Sequence, residues 1–199
     1  MKNHELDIHQ RRHLLVLARD AVGTAVAKRR QFTVPNDAWL QVPGASFVTL
    51  KIEGDLRGCV GSLEPRRALG EDVCSNAISA AFEDPRFPQL RASEFPRLHI
   101  EISHLSPTEK LDVTSENHAL QVIRPGVDGL VIKFGGRRGT LLPQVWEDLP
   151  DPAEFLGHVK RKAGLPMAFW DDRIELHRYT VAHWSESNPS EGFEERTVS

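Results

Sequence analysis

Cysteine is scarce in this chain: Cys59 and Cys74 are the only two among 199 residues. Two thiols cannot build a disulfide framework or a four-thiolate zinc site. Long apolar runs are missing too. None approaches the ~18–20 residues of a membrane span, and the opening MKNHELDIHQRR lacks the apolar centre of a secretion signal. Positive charge is not in excess, since 25 Lys+Arg against 28 Asp+Glu leave a net −3. A nucleic-acid binder would then need a local patch. The available cations, Arg11, Arg12, Lys28, Arg29 and Arg30, come with only 7% aromatic residues and no RNP-like motif. The reading is a cytoplasmic protein with reduced thiols, without nucleic acid or membrane among its partners.

Cofactor signatures are equally thin. No GxGxxG, P-loop or GxSxG pattern occurs. His9 and His13 are four apart on a helix, but HQRRH places Gln10 where a zinc-protease motif has glutamate, and Arg11 and Arg12 would repel a cation. His177 and His183 have no third ligand by spacing. Neither a metal nor an organic cofactor is expected.

What is present is a globular balance, 40% apolar and 27% charged, in a length that suits one ordinary domain or two small lobes. Leu14, Leu17, Ala18, Ala21, Val22, Ala25 and Val26 follow helical spacing within about residues 8–30, which end in Lys28-Arg29-Arg30. Strand formers start at Ser46, turn at Glu53-Gly54-Asp55 and return from Leu56 to Leu63. A second helix runs from Leu69 to Asp84-Pro85, where proline stops it. LHIEISHL alternates as a half-buried strand. GLVIKF, a turn at Gly135-Gly136-Arg137-Arg138 and GTLLPQV read as a second hairpin. A helix over Ala153–Ala163 and a last long strand, RIELHRYTVAHW, follow. Hairpin, helix and strand thus occur twice, over about residues 45–105 and 129–183, with Arg57-Gly58 matched by Arg138-Gly139. The fold expected is α+β in a single domain over 1–184, with a mainly antiparallel sheet and a polar tail over 185–199.

With these elements placed, LRGCVGSLEP (Leu56–Pro65) stands out. It is accompanied by SFVTLKIEGD before it, then NAISAAFEDPRFPQL (Asn76–Leu90), IEISHLSP (Ile100–Pro107), LLPQVW (Leu141–Trp146) and EFLGHVKRKAGLP (Glu154–Pro166). In these blocks the chain resembles the AMMECR domain family, also called AmmeMemoRadiSam system protein A. The resemblance implies two related β-rich repeats around a barrel-like sheet flanked by helices. It implies no established reaction, but an association with radical-SAM and Memo-like proteins as partners. The family's pattern often carries a cysteine where this chain has Lys160.

The candidate site is the LRGC strand. Alternation puts Arg57, Cys59 and Gly61 on one face, so Arg57 and Cys59 become neighbours, and a guanidinium there would favour a thiolate. Gly58 and Gly61 remove side chains, letting another backbone or a ligand approach. Against this, a free cysteine usually packs as a small hydrophobe, and strand glycines mark bulges. Glu64, Asp84, His99, Glu101 and His104 are available as acid–base partners, with His99 and Glu101 able to pair along their strand. The stiff loop Asp84-Pro85-Arg86-Phe87-Pro88 could line a cleft, or cap the helix and staple Phe87 into the core. Two functions remain open. One is an accessory protein that binds a small ligand or a partner through Arg57, Gly58, Gly61, Glu64, Asp84, Arg86 and His99. The other is a small enzyme using Cys59 as nucleophile with Arg57 assisting.

Overall fold

The computed structural model describes residues 6–28 and 32–186, so Arg29, Arg30 and nearly all of the expected polar tail lie outside the described residues. In chain order its elements are α1 (Ile8–Val26), β1 (Pro43–Ile52), β2 (Asp55–Gly61), β3 (Arg67–Ala68), α2 (Leu69–Phe82), β4 (Leu98–Leu105), β5 (Glu109–Leu111), α3 (Glu116–Val122), β6 (Gly129–Phe134), β7 (Arg137–Leu141), α4 (Pro152–Lys162), β8 (Glu175–Tyr179) and β9 (Val181–Ser185). The chain is α+β and falls into two compact units.

Unit 1 holds residues up to Leu105 and the chain from Ala182. Asp7 caps α1 by accepting the Gln10 N–H, while the Gln10 side chain accepts the Asp7 N–H. Glu53 (φ 54°) and Gly54 (φ 91°) form the tight turn between β1 and β2, because a right-twisted hairpin needs two left-handed residues there. The sheet runs β2-β1-β4-β9, with β3 beside the start of β1. Val48, Leu50, Ile100 and Ile102 are fully buried in one core with the apolar residues of α1 and α2. The alternate residues Phe47, Thr49, Lys51, His99, Glu101 and Ser103 are half-buried on the opposite face. Near the sheet, Asp72 of α2 accepts the Ser46 N–H and the hydroxyls of Ser46 and Ser62. Asn76 and Arg67 also donate to it.

Unit 2 covers 106–181. Gly135 and Gly136, both at positive φ, turn β6 into β7, so Arg137 and Arg138 start a strand instead of completing the turn. The sheet order is β5-β8-β6-β7. Asp151 caps α4 with Pro152 in its first turn, and Gly164 (φ 72°) follows its end. Trp146 stacks on Phe155 with ring centres 3.8 Å apart and donates its indole N–H to Asp128 O.

Both units pair a hairpin's first strand with a later strand and lay a helix behind the hairpin. In both, the glycine after an arginine permits the helix to close. A Cβ on Gly58 would run into the carbonyl oxygen of Ala80, and one on Gly139 into the backbone at Val159 and Ala163. The barrel-like closure implied by the resemblance does not form: there are two separate open antiparallel sheets. The expected last long strand is also two strands. Thr180 leaves the ladder, giving its N–H to Ser106 Oγ (3.0 Å) and its carbonyl to the Ser106 N–H (2.9 Å), and β8 and β9 join different sheets.

Gly58→Ala is expected to cost about 3 kcal/mol in chemical denaturation, because neither the helix backbone nor the strand can yield cheaply. His104, against the Trp184 ring, supplies a pH test. Burial pushes its pKa down to about 4, with Arg11 adding to the effect and Asp72 opposing it. The unfolded chain therefore binds the proton first. Stability should be intact above about pH 6.5 and fall by about 3 kcal/mol as pH drops through 4. His104→Gln should flatten that stretch of the stability–pH curve.

Candidate functional site

Cys59 lies on β2, the outermost strand of its sheet, directly across from Thr49. Its sulfur is half-buried and accepts the Thr49 hydroxyl at 3.4 Å. The backbone groups that face away from β1 are met by the loop after α2. The Cys59 N–H donates to Asp84 Oδ2 (2.9 Å), and the Arg86 guanidinium donates to the Cys59 carbonyl (3.3 Å). Asp84 and Arg86 also bind each other at 2.7 Å. Asp84 is only 5% exposed. Arg86 first, and then the Cys59 N–H, hold its carboxyl well below the usual range. Arg86 is raised mainly by Asp84, with the Cys59 sulfur a lesser contributor. The cation beside the thiol is Arg86.

Arg57 is elsewhere. The register of β2 shifts between Leu50↔Gly58 and Lys51↔Leu56, leaving Arg57 as the extra residue of a bulge. The alternation that made it a same-face neighbour of Cys59 is broken there. Its side chain, 11% exposed, grips Glu94 through Nε (2.9 Å) and Nη2 (3.2 Å), and Nη2 also donates to Pro88 O (2.9 Å). Arg57 pulls the Glu94 pKa down to about 2, helped by the Arg91 N–H. Arg57 is therefore a positioning residue for the loop.

The remaining predicted residues divide. Gly58 faces α2, and the space a Gly61 side chain would take is filled by the Phe47 ring, so the glycines admit protein atoms. Glu64 pairs with Arg66 two residues on, at 2.7 Å. His99 is on the same sheet face as Cys59, opposite Lys51. Glu101 accepts from Lys51, its diagonal neighbour on the adjacent strand, at 2.8 Å, a separation that the long lysine side chain spans. Phe87 stays half-exposed below the Arg86 guanidinium, and Leu90 is the loop residue that enters the core. Sequence reasoning missed Thr49, Lys51, Ser103 and Glu94; the alternation in SFVTLKI and HIEIS carried the signal for the first three.

Across the face, Cys59, Thr49 and Glu101 form one cross-strand row. Beyond Glu101 lies His183 of β9, with Nε2 3.9 Å from the Glu101 carboxylate and Nδ1 3.1 Å from Ser103 Oγ. Among the described residues no cluster of three or more His, Cys, Asp or Glu could hold a metal. No described helix is long and apolar enough to cross a membrane.

The AMMECR1 family model matches residues 15–184. This chain belongs to the AMMECR1 family. It is 39% identical over 184 residues to a protein of Methanothermobacter thermautotrophicus, covering 90% of this chain and 95% of that one. A Thermotoga maritima protein is 38% identical over 154 residues, covering 76% and 83%. The crystal structure of an uncharacterized protein, PH0010 from Pyrococcus horikoshii, superimposes with a TM-score of 0.73 at 32% identity, covering 92% of this chain and 95% of that one.

In this AMMECR1 chain Lys160 is fully buried in unit 2. Its ammonium donates to Glu116 (2.5 Å) and to Met167 O (3.0 Å), 5.7 Å from the Trp170 ring. It serves as a tie between α3, α4 and the turn after α4.

Arg57→Gln should loosen the loop over residues 84–94 and cost about 1–3 kcal/mol, read as faster amide exchange there. In the parent protein the Arg57–Glu94 contribution is present above about pH 4.3 and is lost as pH falls through about 2, whereas the variant should lack that acid step.

Proposed function

We propose that this AMMECR1-family chain is a cytoplasmic accessory protein that binds a small ligand over the outer sheet face of unit 1 around Cys59, working with radical-SAM and Memo-like proteins. One observation carries the reading. Half-buried polar side chains from four strands, Cys59, Thr49, Lys51, Glu101, Ser103 and His183, collect on the face that α1 and α2 do not cover. A merely solvated sheet face would carry exposed, independent side chains. Here the groups are tied to one another, which lowers the entropy cost of meeting a ligand. The charges are balanced in pairs, Lys51 with Glu101 and Arg86 with Asp84, so the site fits a polar ligand of low net charge. The partners are those that the family resemblance implies.

A second reading has a specific observation behind it: the Arg86 guanidinium donates to the Cys59 carbonyl, which puts a cation next to this nucleophile candidate, in the assisting role first given to Arg57. In either reading the sulfur must be reachable. Native protein treated with iodoacetamide should take one carbamidomethyl, at Cys59. Cys74 should take none, being 5% exposed with its thiol pushed up to about 12 by burial. An unmodified Cys59 would remove both readings. Binding is separated from catalysis by capture of the radical-SAM and Memo-like proteins on immobilised chain. Association at micromolar concentration, weakened about tenfold by Arg86→Ala, is expected for the accessory role, and its absence counts against it.

A further inference from the structure

On the same sheet face, two strands from Cys59, a hydroxyl, an imidazole and a carboxylate meet in a line. Ser103 Oγ is 3.1 Å from His183 Nδ1, and His183 Nε2 is 3.9 Å from Glu101 Oε2. The other oxygen of that carboxylate is held by Lys51 Nζ at 2.8 Å. Glu101 is largely enclosed, its side chain 14% exposed, while the imidazole is 37% exposed and so open to a ligand.

Electrostatics chooses the tautomer. The tautomer with its proton on Nε2 turns an N–H, and not a lone pair, towards the Glu101 carboxylate. Nδ1 is then the acceptor, and the Ser103 hydroxyl donates to it. That is the arrangement in which a serine proton can pass to an imidazole whose new charge is balanced by a carboxylate. Such sets are identified by geometry and roles, and the chain order of their members differs freely between folds. Proton transfer from the serine requires the 3.9 Å imidazole–carboxylate separation to shorten as the imidazolium forms, as catalytic hydrogen bonds in unliganded sites commonly do.

We propose that Ser103 is a nucleophile for activated acyl compounds, with His183 as its general base and Glu101 and Lys51 as positioning residues. In the step, Ser103 Oγ bonds to the acyl carbon as its proton moves to His183 Nδ1. The bond from that carbon to the leaving group breaks, and the leaving group departs with the proton from the imidazolium. Water repeats the sequence in reverse and frees Ser103. No oxidant, reductant or metal enters the balance. This goes beyond the binding reading and uses different reacting atoms, so Cys59 can fail its alkylation test without touching it.

The test is labelling of the full chain with a fluorophosphonate probe, in which Ser103 Oγ–P forms and P–F breaks to release fluoride. One equivalent is expected, mapped by peptide mass to Ser103 and lost in urea. His183→Gln should slow it about 100-fold. Glu101→Gln should slow it about tenfold while still unfolding in one cooperative transition, and Glu101→Asp should recover part of the rate. Labelling at another residue, no labelling of native protein, or an unchanged rate in His183→Gln overturns the proposal.

Discussion

An edge strand with a half-buried cysteine has a backbone problem, and its solution organises unit 1. The Cys59 N–H and carbonyl point away from β1, where no further strand follows β2. Leaving such groups unmet away from water costs on the order of 1–3 kcal/mol each. Asp84 and Arg86 meet them with a carboxylate and a guanidinium that also neutralise each other. Burying Asp84 alone would be prohibitive; burying it between a cation and an N–H is tolerable. The same loop is held at its far end by Arg57 on Glu94 and Pro88 O. Sulfur position, loop position and the location of both arginines are thus one solution.

Much of this was legible in the residues. Alternation in SFVTLKI and LHIEISHL, the Glu53-Gly54 turn, the proline after α2 and the glycine after α4 are local signals, and each element formed where its signal stood. The bulge was not legible. A single extra residue in β2 is defined by its partner strand, and the strand glycines that signal a bulge do not say which residue is the extra one. Yet it reverses which arginine meets the thiol. Thr180 likewise reads as one more β-branched residue in a continuous strand, and only its exchange with Ser106 shows the break. β5 and α3, at three and seven residues, are too short to show periodicity.

The two faces of the unit 1 sheet put polar groups to different uses. On the helix side, Asp72 is 1% exposed and accepts from Ser46, Ser62, Asn76 and Arg67, fixing α2 to the strands. It is saturated, with nothing left to offer a ligand. On the other side the groups are half-buried, and the imidazole and thiol keep part of their surface. A polar group that is fully satisfied holds a fold together. One that is oriented but not saturated can recognise something, and this difference separates the scaffold from the candidate site.

Unit 2 sharpens the contrast, because it repeats the order of elements without repeating the chemistry. The residue two after its hairpin arginine Arg138 is Thr140, where unit 1 has Cys59 after Arg57. Tyr179 gives its hydroxyl proton to Leu141 O (3.0 Å), so at the 3.2 Å contact with Thr140 it must accept. The Thr140 proton is therefore committed inside the unit. The nearby lysine on α4 is enclosed and committed too, between Glu116 and the Met167 carbonyl. A hydroxyl already donating and an ammonium without surface cannot attack anything. The same framework is closed in one unit, and in the other it leaves a sulfur, an imidazole and a serine oxygen oriented on one face.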